Sequence, residues 1–223
     1  MNPSAATPHP LTRFWLANAR WILAGLLLAG YPLSGVLPPE FGWENNWIEN
    51  FQLLVLLGGL AAAIHQYRTP RDGTLSRLAL CVIPIWSLCA ARETSWGATF
   101  LTAATMEADG PSFTSRNLWY HPGIAPLVVV LLAFSAYVFV RRRLDRPMLQ
   151  LVRQRQFPWF ELALCVVAAG LSAAAEGHAG GFKLPGIESA MEVMEEWSET
   201  LVYLGLLTAQ MRIFRALAEA PPT

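Results

Sequence analysis

Glu188, Glu192, Glu195 and Glu199 recur at i, i+4, i+7 and i+11, with Glu196 beside them. On a helix that spacing lines carboxylates along one face, and Glu188 to Glu199 spans about 16 Å at about 1.5 Å per residue. Carboxylates so arranged can hold hard or borderline cations, relay protons or act as general bases. Further polar groups stand in four short stretches. "WENNWIENFQ" offers Glu44 and Glu49, with Asn45 and Gln52 on the face of Glu49; "ARETSWG" offers Arg92 and Glu93; "RNLWYHPG" brings His121; "AAAEGHAGG" brings Glu176 and His178. An oxygen-rich set with at most two imidazoles suits a divalent ion such as calcium, manganese, iron or zinc. The expected ligands are Glu49, Glu93, Glu196 and Glu199, with Glu93 and Glu49 also placed to act as catalytic base. Glu44, Arg92, His121, Glu176, His178, Glu192 and Glu195 form a second ring. "EEWSE" supplies Glu-x-x-Glu rather than the Glu-x-x-His of di-iron bundles, which favours a mononuclear or non-redox site.

The elements that must hold these groups are membrane helices. Of the 223 residues, 54% are hydrophobic and only 14% charged, too apolar for an ordinary soluble domain of this size. A bilayer core about 30 Å thick takes roughly 20 helical residues, and six apolar stretches approach that length: 14–37, 43–66, 78–101, 122–140, 157–176 and 186–211. No β-barrel alternation is visible, so backbone satisfaction in lipid requires helices. The expected fold is an all-α polytopic membrane bundle of about six transmembrane helices. It comprises a polar segment 1–12, a transmembrane domain 13–216 and a tail 217–223. The polar start lacks a small-residue cleavage site, so a retained first helix is expected. Cys81, Cys89 and Cys165 lie in apolar runs and read as packing residues.

Arginines set the orientation. Arg13 and Arg20, then Arg68, Arg71 and Arg77, then "RRRLDRPMLQLVRQR", then Arg212 and Arg215 fall on one side of the six spans, and only Arg116 and Lys183 on the other. The positive-inside rule makes the arginine side and both termini cytoplasmic. A bacterial inner (cytoplasmic) membrane follows as the expected location, with the carboxylates facing the periplasm or cell exterior. Most acids lie on or near that outer side, which the topology rule does not demand. The apolar parts of spans two, three and six, at 53–64, 78–91 and 201–211, are each too short to cross alone. Each span is therefore expected to continue through its polar half, with the third running on through Arg92, Glu93, Ser95 and Trp96. Intramembrane ionisable groups usually face a bundle interior or wet cavity. The same residues admit other roles: a surface-lying amphipathic helix for the glutamate stripe, an ion pair with Arg92 for Glu93, and helix capping for Glu44 and Glu49.

"EFGWENNWIENFQLLVLL", "ARETSWGATF" and "MEEWSETLVYLGLL" together resemble a family of uncharacterised bacterial polytopic membrane proteins. Its pattern has an acidic pair heading an early span, Glu-x-Ser-Trp-Gly in a middle one and Glu-Glu-x-x-Glu near the end. Here Glu93, Ser95, Trp96 and Gly97 carry the signature, while Arg92 and Ala98 stand where the family has an acid and a glutamine. The resemblance implies a membrane fold of six to seven helices and no specific activity. The alkaline ceramidase-like membrane hydrolases hold zinc through histidines spaced four apart, and this chain has no His-x-x-x-His.

Three functions fit. The first is a divalent-metal-dependent membrane enzyme, a hydrolase for instance, acting on a lipid or lipid-linked substrate from the bilayer. The metal would polarise an ester or phosphoryl oxygen and lower the pKa of bound water. The second is a cation or proton transporter. It would need polar groups in the inner half too, where only Asn18, His65, Gln66, Tyr67 and Glu161 stand. The third is an accessory subunit docking a partner through its acidic outer face. Nucleic acid is not an expected partner, since the basic loop is explained by topology and lacks interleaved aromatics.

Overall fold

The computed structural model describes residues 10–69, 73–107, 110–176 and 191–219. The long helices are α1 (Pro10–Ser34), α2 (Trp47–Arg68), α3 (Gly73–Glu93), α5 (His121–Arg141), α7 (Trp159–Ala175) and α8 (Met191–Glu219). Shorter helices are α4 (Ala98–Leu101) and α6 (Asp145–Arg153), and a 3-10 turn, Pro39–Gly42, precedes α2. Two short antiparallel strands, β1 (Thr105–Glu107) and β2 (Gly110–Ser112), are the departure from all-helical structure. Among the described residues, five helices are long and apolar enough to cross a membrane: α1, α2 with its preceding turn, α3, α5 and α8. The sixth expected span, α7, is apolar but has only 17 residues.

Helix α8 is the hub, packing on α7, α1 and α2, while α3 lies between α2 and α5. Close approach explains part of this order. A Cβ on Gly205 would come within 2.6 Å of Cys165 Sγ, so the bare backbone there lets α7 and α8 meet. Trp197 Nε1 donates to the Leu26 carbonyl at 2.9 Å, and Trp15 Nε1 to Thr208 Oγ1 at 3.0 Å. These two bonds fix α1 antiparallel to α8. On α5, Leu127, Val129, Val130 and Leu132 are exposed, as expected of a helix whose apolar surface faces lipid rather than water.

One end of the bundle gathers the arginines. Leu75 and Leu78 of α3, Val138 of α5, Leu144 and Leu151 around α6, and Leu217 of α8 form one apolar cluster. The stretch expected as a basic loop folds in part into α6, which buries Leu151 and leaves Arg146 and Arg153 exposed. At the same end, Glu161 in the first turn of α7 is fully buried, with Arg212 Nε at 2.6 Å and Arg20 Nε at 3.6 Å. Neither Glu161 oxygen nor Arg212 Nε has an aligned hydrogen bond, so the triad is held by charge proximity. It ties α1, α7 and α8 together, because an unpaired carboxylate at that depth would be strongly unfavourable.

The opposite end carries the acids, and here the third span differs from expectation. Helix α3 starts at Gly73, five residues before the expected Leu78, and reaches 21 residues without Ser95 or Trp96. It ends at Glu93, after which Ser95, Trp96 and Gly97 take φ of 44°, 59° and 90°. Three successive left-handed residues cannot continue a helix. Tyr120 Oη donates to the Trp96 carbonyl at 2.7 Å and holds this turn. The Glu-x-Ser-Trp-Gly stretch is thus a helix terminus that presents Glu93 as the last helical residue. The expected start of the sixth span, Gly186, and the stripe's first member, Glu188, lie outside the described residues; the helix runs from Met191 to Glu219.

Candidate functional site

Arg92 sits on the last turn of α3, where a cation also suits the helix C-terminus, and joins several polar side chains. Its Nη2 lies 2.9 Å from Glu199 Oε1 and its Nη1 3.2 Å from Glu199 Oε2, a two-pronged carboxylate grip. Nη1 also donates to Tyr203 Oη at 3.1 Å and lies 3.5 Å from Glu93 Oε1. Tyr203 has one proton, and its 2.6 Å separation from Glu93 Oε1 identifies the acceptor; Glu199 Oε2 is farther, at 3.4 Å. The bonds therefore run from Arg92 to Tyr203 to Glu93. Ser172 of α7 reaches Glu199 at 3.5 Å. Helices α3, α7 and α8 thus meet in one network, with Glu93 and Tyr203 buried and most of the Arg92 side chain exposed.

Alongside stands Gln52 of α2, which is fully buried. Its Nε2 donates to the Glu196 carbonyl at 2.7 Å and to Glu196 Oε2 at 2.8 Å. Its Oε1 has no hydrogen-bond partner. The charges are close enough to feel one another: Glu196 interacts electrostatically with Glu199, Glu93 and Glu49, and Glu195 with Glu176, Glu199, Arg92 and Glu192.

The remaining expected residues have local partners. Asn46 caps α2 by accepting from Trp47 N at 2.8 Å, and the Glu49 carboxylate accepts from the Asn45 backbone N–H. Glu49 therefore reaches back over the helix start much as a capping-box glutamate does. Glu44 accepts from Phe113 N at 2.6 Å and so links the entry to α2 with the chain after β2. Gly110 completes that link: its φ is 124°, and a Cβ there would meet the Trp43 ring at 2.7 Å. His121 pairs through Nδ1 with Ser115 Oγ at 3.3 Å at the start of α5. Glu176 is exposed at the C-cap of α7, and His178 lies outside the described residues.

The described residues do not assemble the expected metal centre. Among the described residues, no group of three or more His, Cys, Asp or Glu side chains could hold a metal ion. The physical reason lies in where the four proposed ligands are spent. Glu199 is gripped by Arg92, Glu93 takes the Tyr203 proton, Glu196 faces Gln52, and Glu49 caps α2. Both Glu199 oxygens are thereby occupied by the Arg92 guanidinium.

Several participants escaped the sequence reading. Tyr203 and Ser172 were absent from it, although Tyr203 lies four residues beyond Glu199 and so shares the face of the stripe. Gln210 is another, buried toward the arginine end, where it accepts from Trp86 Nε1 and donates to the Gly59 carbonyl at 3.1 Å. Between this pair and Tyr203 lies an apolar layer that includes Val55, Leu56, Leu206 and Leu207.

Two cavities border the site. One, of about 210 Å³, is of mixed polarity, lined by Glu44, Glu192, Glu195 and Glu196 together with Trp43 and Ser112 among others. The other, of about 470 Å³, is an apolar groove among α1, α2 and α8, lined by Leu26, Leu37, Phe51, Trp197, Leu201 and Leu204 among others. No protein-family model matches the chain, and no curated protein or solved structure matches it either.

Proposed function

We propose that this protein is a membrane transporter that takes a cation or proton into the carboxylate-lined pocket beside α8. The observation that carries this reading is a charge imbalance. Glu49, Glu93, Glu195, Glu196 and Glu199 interact with one another across α2, α3 and α8, and the guanidinium among them is that of Arg92. Like charges gathered at low dielectric need compensation, and one arginine falls short of five carboxylates. Glu195 and Glu196 also line a cavity of about 210 Å³, where a mobile cation would meet the cluster. The buried Gln210–Trp86 pair, with Arg212 and Arg20 beside Glu161, enlarges the set of polar groups beyond the apolar layer.

The topology belonging to this reading has six spans, α7 being the sixth, with both termini and the arginine end cytoplasmic in a bacterial inner membrane. The pocket then opens toward the periplasm or exterior. Support comes from the gathering of α6, the α3 start and the α8 end at one pole and of the carboxylates at the other.

Ion flux is the direct test. Proteoliposomes loaded with a pH-sensitive dye, and in parallel with sodium- or potassium-sensitive dyes, should show flux above empty vesicles, with Glu196→Gln reducing it at least tenfold. Absence of flux for all three ions would overturn the reading. The apolar groove favours a second reading, an enzyme acting on a membrane lipid. Mass spectrometry of a defined lipid mixture incubated with the purified protein would detect its product.

A further inference from the structure

We propose that the outward face of α6, at the pole opposite the carboxylates, is a docking surface for acidic phospholipids, whose phosphate head groups its arginines gather at the membrane surface. Arg141, Arg142, Arg143, Arg146, Arg153 and Arg155 stand against a single acid, Asp145, over 141–155, and all six are exposed. Among the described residues, Arg143 has an ion-pair partner, Asp145 at 3.9 Å, and the other five have none. Basic clusters of this size next to a membrane span attract anionic lipid. Helical spacing puts Arg146, Leu149 and Arg153 on one side of α6, opposite Leu144 and Leu151, which are buried in the apolar cluster of this pole. The outward side therefore carries an exposed leucine between two arginines. Val140, 69% exposed, immediately precedes Arg141, and Trp159, 61% exposed, follows α6 at the head of α7. A soluble anion would answer the arginines and leave these apolar groups uncovered. A bilayer surface answers both, with a phosphate layer beside an acyl boundary.

The backbone supplies an independent observation. Helix α5 closes with Arg143 N donating to the Val140 carbonyl at 3.1 Å and Leu144 N to the Phe139 carbonyl at 3.0 Å. Helix α6 closes the same way, Arg155 N donating to Val152 at 3.1 Å and Gln156 N to Leu151 at 2.9 Å. In this closing turn one residue must be left-handed, and glycine fills that place without strain. Here it is filled by Arg143, with φ of 53°, and by Arg155, with φ of 57°. At both ends of α6 an arginine thus stands where glycine would serve the fold better. The positive-inside rule asks for basic residues near the ends of spans. It does not ask for them at these two strained positions, nor for an exposed leucine between two others.

The test titrates the full chain, in non-ionic detergent micelles, with phosphatidylglycerol or with phosphatidylcholine of the same acyl chains, and counts bound lipid by native mass spectrometry. Phosphatidylglycerol should bind about tenfold more tightly, since each arginine near an anionic surface contributes roughly fivefold. Arg146→Gln combined with Arg153→Gln should remove most of that preference. Arg143→Gly combined with Arg155→Gly should also weaken phosphatidylglycerol, while Tm stays at or above that of the parent, which separates lipid binding from folding. Leu149→Ser should weaken phosphatidylglycerol with no change in charge. Equal affinity for the two lipids would overturn the proposal. So would an equal loss from Arg68→Gln combined with Arg77→Gln, exposed arginines of the same pole outside α6, because the charge of the whole pole would then be the cause. Loss of the preference when inorganic phosphate is added in millimolar excess would overturn the bilayer as the source of the anion.

Discussion

Replacing Tyr203 by Phe deletes one hydroxyl and little else. That hydroxyl donates to Glu93 at 2.6 Å and accepts from Arg92 at 3.1 Å, while the ring remains among Val55, Leu56 and Trp86. Both partners are charged groups, and a hydrogen bond to a charged group contributes about 1.5–3 kcal/mol. Tyr203 is 5% and Glu93 8% exposed, so water replaces little of what is lost. At roughly 2–4 °C per kcal/mol for a chain of this size, Tyr203→Phe should lower Tm by about 3–12 °C in nanodiscs. The decisive measurement is a double-mutant cycle with Glu93→Leu. Side-chain hydrogen bonds between membrane helices average about 0.6 kcal/mol in such cycles, because the unfolded chain in lipid also finds partners. A charged, buried pair should exceed that average, with coupling of about 1.5 kcal/mol or more. Coupling at or below about 0.6 kcal/mol would refute the view that Tyr203 and Glu93 form the buried end of a charge network.

Three other outcomes follow from the fold. Glu161→Leu should destabilise the protein by about 3–5 kcal/mol, because Arg212 is left partly buried without its partner carboxylate; chemical unfolding followed by tryptophan fluorescence would measure it. Gly205→Ala should cost about 1–3 kcal/mol by forcing a methyl against Cys165, and a second change, Cys165→Ala, should recover most of the loss in the same assay. Single cysteines placed at Arg153 and at Trp119, both exposed, in a background without native cysteines should react with a membrane-impermeant thiol reagent from opposite faces, Arg153 from the cytoplasm; labelling of both from one face would contradict the six-span topology.

Much of the scaffold was legible in the residues themselves. Apolar run length located the long helices, because lipid leaves the backbone no partner but its own helix, and arginine placement separated the two poles. The ends were less legible. Apolar run length extends the third span through the polar residues of "ARETSWG", yet Gly73–Arg77 lengthens α3 at its other end and a left-handed turn stops it at Glu93. Hydropathy averages over a window and is blind to backbone sign. Likewise, the i, i+4 spacing showed that Glu192, Glu195 and Glu199 share a face. Spacing is a property of one helix, so it could not show what stands across from that face.

That assignment belonged to the packing of separate helices. Arg92 is 107 residues from Glu199 in sequence, and Gln52 is 144 from Glu196; only the approach of α2 and α3 to α8 brings each pair within bonding distance. The same approach turned four expected metal ligands toward a guanidinium, a phenol, an amide and a helix start. Residue spacing alone put Glu192, Glu195 and Glu199 on one face of one helix, since helical periodicity fixes which side chains of an element lie together. Which of them are spent on protein partners, and which face an open pocket, was decided by tertiary structure, because charge compensation depends on distances that no single helix encodes.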